Sequence, residues 1–196
     1  CDCGYECPHE GWMDDGVCDL CGMVFAASVT KNGVTTGYAE LLTAITEICG
    51  DKSGTLKLLA DVNSTMLSVG YFPMNGTLDL NGKELNANLN CQPETGLRIV
   101  NTADTEATLA GLYVSTAEGG KVTIDDTTGS ILFRVLEIDN GSLADLLPEG
   151  GAYQKEIGAK PWISAEEAAS SKQLSWVRVQ EAPVKSVTLT ANKDTV

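Results

Sequence analysis

Apolar and polar residues alternate differently in successive parts of the chain, and each pattern predicts a different element. In residues 25–36, two short apolar runs flank Asn32-Gly33. This pair predicts a tight β-hairpin because both residues tolerate positive φ. In residues 37–50, apolar residues recur on one helical face, which predicts an amphipathic helix that ends at Gly50. The face consists of Tyr38, Leu41, Leu42, Ile45, Ile48 and Cys49.

Residues 54–160 consist of short β-type runs that Gly, Asn and Asp interrupt repeatedly. Four apolar centres recur at intervals of 22, 21 and 25 residues, namely Leu56, Leu78, Ile99 and Ile124. A period of about 20–25 residues predicts stacked coils, in which each repeat buries its apolar side against the next. An antiparallel sandwich with a strand every ~8–12 residues is the alternative. The predicted runs are 55–62, 66–72, 76–82, 96–100, 107–114, 121–126 and 131–138.

The last part of the chain, from residue 161 onward, consists of two segments with different sequence patterns. Residues 161–182 contain an Ala/Glu-rich segment, which predicts a short helix or an exposed loop, and then the strand LSWVRV. After Pro183, the segment VKSVTLTANKDTV alternates like a strand. We expect residues 183–196 to be a linker and the first strand of a further domain.

Composition and charge restrict the kinds of molecule that the chain is expected to bind. The chain has 196 residues, of which 43% are hydrophobic, so it can bury a core and global disorder is disfavoured. Its formal net charge is −14 at pH 7, which disfavours nucleic acid and anionic membranes as partners of the whole chain. Because it holds no run of about 20 apolar residues, we expect no membrane insertion. The chain begins at Cys1, and we expect a processed product or a fragment.

Cysteine is concentrated at the start of the chain, where five of the seven cysteines and the only histidine lie within the first 21 residues. Two short motifs, CPH at 7–9 and CDLCG at 18–22, offer three thiolates and one imidazole. Such a set can hold one tetrahedral ion, and a glycine after CxxC relieves the backbone of the tight turn. The sequence therefore predicts a structural zinc site with the ligands Cys7, His9, Cys18 and Cys21.

Two alternatives to this ligand set remain open. Cys3 could replace His9 and make an all-thiolate site, or the cysteines could form disulfides in an exported protein. Cys1 and Cys3, in CDCG, resemble the CDLCG motif with one residue missing, and we interpret them as the closing half of an upstream knuckle. Catalytic zinc is disfavoured because neither HExxH nor HxE…PCxxC occurs.

The other candidates for catalysis are weaker. Cys49 lies on the predicted helix face and is interpreted as a core thiol, while Cys91, in LNCQP, has no interpretation. Because His9 is the only histidine, Cys–His and Ser–His–Asp chemistry are disfavoured. Asp125 and Asp126 are the most obvious carboxylate pair, but neighbouring strand residues point to opposite faces.

The other aspartates considered for catalysis stand in turn contexts, where hydrogen bonding within the turn explains them. They are Asp61, Asp79 and Asp139. A carbohydrate-active enzyme, either a polysaccharide lyase or a glycoside hydrolase, is therefore the alternative hypothesis rather than the leading one.

The stretches LDLNGK and SLADLLPEG are the most specific parts of a pattern that spans roughly residues 26–182. This pattern resembles a module of large secreted and cell-wall-anchored proteins of Gram-positive bacteria. Such modules are described as pectate-lyase-like, right-handed β-helices. A Cys/His array similar to CPHEGWMDDGVCDLCG often precedes them, and an Ig-like domain whose opening strand resembles APVKSVTLTANKDTV often follows. The resemblance implies an extracellular or cell-surface location, a role in adhesion or architecture, and no known catalytic residues.

These observations combine into one expected organisation. Residues 1–24 form a metal-binding knuckle, and residues 25–182 form a mainly β module, a small right-handed parallel β-helix whose first coil is flanked or capped by the helix 37–50. The expected function is that of a non-catalytic extracellular module of a bacterial surface protein. Its expected partners are a glycan or a surface protein, together with other domains of the same polypeptide.

Overall fold

Strands dominate the architecture of the computed structural model, which describes residues 15–51, 54–72, 75–91, 96–115, 121–156, 158 and 161–183. The described part is mainly β, as predicted, with two α-helices, one 3₁₀ helix and thirteen strands in two mixed sheets. The helices are α1 (Leu41–Asp51), α2 (Ala165–Ser170) and the 3₁₀ helix Leu143–Leu146.

The first sheet has six strands in the order β2-β1-β3-β5-β7-β9. Its strands are β1 (Ala27–Lys31), β2 (Val34–Tyr38), β3 (Thr55–Leu58), β5 (Asn75–Asp79), β7 (Gly96–Val100) and β9 (Lys121–Ile124). The hairpin between β1 and β2 turns at Asn32 (φ 50°) and Gly33 (φ 77°), which confirms the predicted hairpin. Two successive positive φ values fit a type I′ turn, whose twist matches that of the flanking strands.

The second sheet has seven strands in the order β12-β11-β13-β10-β8-β6-β4. Its strands are β4 (Val62–Phe72), β6 (Glu84–Cys91), β8 (Ala107–Val114), β10 (Thr128–Ile138), β11 (Gly151–Lys155), β12 (Trp162–Ile163) and β13 (Gln173–Glu181). From β3 to β10, the chain alternates between the two sheets, and neighbouring strands of this region pair in parallel within each sheet. This parallel pairing contradicts the antiparallel sandwich.

The strand register explains the apolar period of the sequence. In the first sheet, Leu56 pairs with Leu78, which in turn pairs with Ile99, and Ile99 pairs with Ile124. All four side chains are buried in one continuous core. Each interval of 21–25 residues therefore carries the chain through one strand of each sheet and back to the same register position. Parallel strands need such long connections because a tight turn cannot join them.

Helix α1 packs against β1, β2, β3 and β4 at the beginning of the stack. Leu41, Ile45 and Ile48 are buried in the main core, as the spacing predicts, and Ala44 is buried with them. The predicted boundaries are wrong by several residues. Gly37 and Tyr38 belong to β2 and pair with β1 instead of starting the helix, and the helix continues past Gly50 to Asp51. Leu42 lies outside the buried face and is 55% exposed, because the face is narrower than predicted.

Three strands were absent from the prediction, namely β6, β11 and the two-residue β12. In β6, three asparagines alternate with Leu85, Ala87, Leu89 and Cys91, which are buried. Asparagine has a low intrinsic propensity for strands, so the sequence did not predict β6 although its apolar residues alternate. Cys91 is a core residue at the end of this strand, and burial raises the pKa of its thiol to about 12. Cys49 is predicted to be a core thiol, but its side chain lies outside the described part of the structure.

Candidate functional site

The turn that carries Cys18 and Cys21 folds back on itself. Val17 and Val24 form an antiparallel bridge, and the N–H of Cys18 donates to the carbonyl of Met23 at 2.8 Å. Within the turn, the N–H of Gly22 donates to the carbonyl of Cys18, also at 2.8 Å. Gly22 has φ +71°, in the left-handed region that favours glycine. The glycine after CxxC thus has the role that the motif predicts for it.

The knuckle turn is attached to the sheets through a small apolar cluster. Cys18 is buried together with Phe25 and Leu59, apart from the main core. The N–H of Phe25 donates to the carbonyl of Gly16 at 2.7 Å, and the N–H of Leu59 donates to the carbonyl of Ala26 at 3.0 Å. Cys21, in contrast, is exposed. The two thiols of the motif therefore occupy different environments, one in the apolar cluster with Phe25 and Leu59 and one at the surface.

Only two of the four predicted zinc ligands belong to the part of the chain that the structure describes. Cys7 and His9 lie outside the described residues, as do Cys1 and the alternative ligand Cys3. Within residues 15–183, leaving aside the gaps named above, no group of three or more His, Cys, Asp or Glu side chains is arranged to hold a metal ion.

Asp79 joins two successive turns between the sheets. It is 3% exposed, and its carboxylate accepts hydrogen bonds from the N–H of Asn81 at 2.9 Å and from the N–H of Thr102 at 3.1 Å. The hydroxyl of Thr102 donates to the other carboxylate oxygen at 2.6 Å. Burying a carboxylate is tolerated because these donors replace water. Asp79 is thus a structural link between chain segments 23 residues apart.

Asn81 and Asn101 extend this network along the stack. Asn81 donates through its amide to the carbonyl of Leu58 at 2.8 Å, at the end of β3. The amide oxygen of Asn101 accepts from the N–H of Gly82 at 2.7 Å. Asn81 and Gly82 both have positive φ, 48° and 68°. The turn is therefore held from both neighbouring turns, which explains the recurrence of Asp, Asn and Gly at the ends of the apolar runs.

The carboxylate pair Asp125 and Asp126 has two separate structural roles. Asp126 is 7% exposed and accepts hydrogen bonds from the N–H and hydroxyl of Thr128 at 2.9 and 2.6 Å and from the N–H of Ile131 at 3.1 Å. Asp125 is at the surface, where it forms an ion pair with Arg98. The two side chains point to different sides of the chain, as strand alternation predicts. They do not face a common space where a glycosidic bond could lie between them.

A cleft of about 290 Å³ lies near the C-terminal end of the described chain, between β11, β12 and α2. Its lining is mostly apolar and includes Leu147, Trp162 and Ile163. Among the described lining residues, the one side-chain hydroxyl belongs to Ser164, which caps α2 by accepting from the N–H of Glu167 at 3.1 Å. The described part of the lining therefore offers no charged side chain for acid–base chemistry.

No protein family model, no curated protein and no solved structure matches this chain. Among the described residues, no helix is long and apolar enough to cross a membrane.

Proposed function

We propose that the chain is a non-catalytic extracellular module that serves as a spacer or an adhesive surface of a bacterial surface protein. The observation that carries this proposal is the use of the buried carboxylates. Asp79 accepts three hydrogen bonds that link two turns, and Asp126 accepts three from the turn that follows it, so both carboxylates are engaged in holding the backbone. A rigid stack of turns suits a protein whose task is to hold a shape or to present a surface.

The finer fold that we propose is a right-handed parallel β-helix over residues 54–138, with α1 covering its first coil. Its support is the alternation of the chain between two sheets and the straight row of buried residues from Leu56 to Ile124. A stack of coils exposes apolar core and unpaired backbone at its ends, so an amphipathic helix before the first coil is favourable. An experimental structure would test this proposal, and a left-handed or antiparallel connection would contradict it.

We also propose structural zinc at the knuckle, with Cys7, His9, Cys18 and Cys21 as ligands. The donor set is the one that structural zinc prefers, and residues 18–22 form a tight turn with Gly22 at positive φ, as the motif predicts. Zinc bound there would stabilise the segment 1–24 and its attachment through Phe25 and Leu59.

The zinc proposal is tested by metal analysis of the purified full chain. We expect about one equivalent of zinc, since a closed structural site is nearly full. Cys21→Ser should lower the content strongly, whereas Cys91→Ser, a change in the core, is the matched control. His9→Ala and Cys3→Ala then distinguish the two ligand sets. Absence of zinc from the unmodified chain, with disulfides found by mass spectrometry, would establish the disulfide alternative.

The alternative function, a carbohydrate-active enzyme, is tested by incubating the chain with pectins, mucin glycans and glycosaminoglycans. We expect no release of reducing ends or unsaturated products above the protein-free background. Turnover that Asp125→Asn or Asp126→Asn abolishes, in variants that still fold, would overturn the non-catalytic proposal. The extracellular location is tested separately, by antibody labelling of intact producing cells.

A further inference from the structure

An exposed tryptophan stands out on the outer face of the seven-stranded sheet. Trp176 in β13 is 44% exposed and has φ +53°. A bulky residue rarely adopts positive φ, and such conformations persist only where the surroundings maintain them. On either side of it, Leu174 and Val177 are buried. Ser175 and Trp176 therefore both face outward, and the simple alternation of the strand is interrupted at the tryptophan.

Arg134 in β10 lies directly across from Trp176. Phe133 pairs with Val177 and Val135 pairs with Ser175, so the antiparallel register places the arginine and the tryptophan opposite each other. The guanidinium carbon lies 6.0 Å from the centre of the indole ring, within the range of a cation–π interaction.

The arginine retains unused hydrogen-bond donors. Its Nη2 donates to the carboxylate of Glu84 at 2.6 Å, the one hydrogen bond that it makes to the described residues. Its Nε is buried and has no acceptor among them. A guanidinium has five N–H donors, so most of its donor capacity is free. The side chains of Arg134 and Glu84 are 33% and 43% exposed, and a ligand on the indole would lie within their reach.

We propose that Trp176, Arg134 and Glu84 form a binding site for a neutral pyranose unit of a glycan, hereafter the Trp176 site. The apolar C–H side of a sugar ring stacks on an exposed indole, while its hydroxyls need donors and acceptors at the rim. Arg134 supplies donors and Glu84 supplies an acceptor. This inference deepens the proposed function and rests on it for the glycan as the class of partner.

Charge favours a neutral sugar over an anionic one. Arg134 is paired with Glu84, and Arg178 in the same strand as Trp176 is paired with Glu106 and Glu156, so three carboxylates accompany two guanidinium groups. Arg178 is already bound to both Glu106 and Glu156. The whole chain carries −14, which adds repulsion toward uronate or sulfate groups.

The neighbours of Trp176 also favour a sugar over a protein partner. The other exposed large apolar side chains of the described residues lie elsewhere, in the knuckle turn, the first hairpin and α1. A protein interface needs an apolar centre in a patch of roughly 800 Å² on each partner. One indole beside the ion pair of Arg134 and Glu84 matches a small amphipathic ligand better.

The test uses the full chain and four neutral probes, namely cellohexaose, mannohexaose, xylohexaose and N-acetyl-chitohexaose, followed by calorimetry and tryptophan fluorescence. Polygalacturonate and heparin form the anionic arm. We expect at least one neutral probe to bind, with about tenfold weaker affinity in Trp176→Gly, because the central stacking contact is lost. Glycine fits the positive φ, so this variant should fold. Trp176→Tyr should retain most of the affinity.

Control variants test whether a probe binds at the Trp176 site or elsewhere on the chain. Trp162→Phe changes a tryptophan of the apolar cleft and should leave binding unchanged. Arg134→Met should weaken binding without loss of fold, as circular dichroism would show. Binding that Trp176→Gly leaves intact would overturn the site while the adhesive role stands. Binding of anionic probes only, of none of the six probes, or of a protein alone through Trp176 would overturn the sugar proposal. Turnover of a probe would instead overturn the non-catalytic function.

Discussion

Replacing Asp79 by alanine tests whether the turn carboxylates hold the stack together. The change removes the acceptor of three donors, the N–H groups of Asn81 and Thr102 and the Thr102 hydroxyl, in a place that is 3% exposed. Hydrogen bonds to charged groups contribute about 1.5–3 kcal/mol each. The hydroxyl can rotate and water can enter the space left behind, so we expect a loss of roughly 3–5 kcal/mol in the free energy of unfolding.

Asp61→Ala is the matched control for this experiment, because it lies in the preceding turn. The Asp61 carboxylate is exposed and accepts one hydrogen bond, from the N–H of Glu84 at 2.8 Å. We expect a loss of about 0.5–1 kcal/mol there. Asp79→Asn keeps the shape and an acceptor oxygen but removes the charge, so its loss should be intermediate, at about 1–2 kcal/mol.

Guanidinium unfolding followed by circular dichroism measures these differences, at one fixed zinc concentration and with the denaturant dependence compared between variants. A domain of this size has a total stability of about 5–15 kcal/mol, so the Asp79→Ala loss shifts the midpoint visibly. If Asp79→Ala costs no more than Asp61→Ala, the three buried hydrogen bonds do not link the turns energetically. The inference from buried carboxylates to a structural role would then fail.

Three further predictions concern a turn, a buried thiol and a buried phenol. Gly82→Ala should lower the free energy of unfolding by about 2 kcal/mol or more, because φ is +68° and an added Cβ would clash with a side-chain oxygen of the next turn. Gly33 also has positive φ but has open space around it, so Gly33→Ala should lower the free energy of unfolding by only about 1 kcal/mol in the same assay. Burial raises the pKa of Cys91 from 9.0 to about 12, so between these pH values the folded state keeps a proton that the unfolded chain has lost. The free energy of unfolding should therefore be undiminished below pH 9 and fall between pH 9 and 12. Cys91→Ala should flatten that fall in unfolding curves measured at several pH values. Tyr153→Phe removes the 2.7 Å hydrogen bond from a fully buried hydroxyl to the carbonyl of Leu143, and thermal unfolding should show a loss of about 1 kcal/mol; an unchanged midpoint would mean that water satisfies that carbonyl equally well.

The sequence predicted correctly those features that depend on interactions between residues close together in the chain. Positive φ at two successive residues decides a hairpin, so Asn32-Gly33 was sufficient to locate it. The helix was predictable from its apolar spacing, but its start was not, because Gly37 and Tyr38 continue a strand that pairs with β1. Strand β6 remained hidden because its alternate asparagines mask an apolar face that only the packed core makes visible.

The candidate sites divide in the same way. The CxxCG motif predicts the turn at 18–22, since its spacing and glycine are sequence properties. The sequence did not predict the Trp176 site, and its only trace is the missing alternation in LSWVRV. Glu84 and Arg134 are 50 residues apart in the chain, and the pairing of the strands brings them together. The positive φ of Trp176 likewise belongs to the packed sheet rather than to the local sequence.

By itself, the sequence determined a mainly β chain with an apolar repeat of 21–25 residues, a hairpin, one amphipathic helix and a cysteine-rich start. These follow from side-chain periodicity and from the backbone preferences of glycine and asparagine, which act over a few residues. Only the folded structure shows that the repeated runs pair in parallel in two sheets, that Asp79 is buried as a link between two turns, and that Asp126 is buried within a single turn. It also brought Arg134 opposite Trp176. Pairing and burial depend on residues far apart in the chain, whose contacts only the packed core selects.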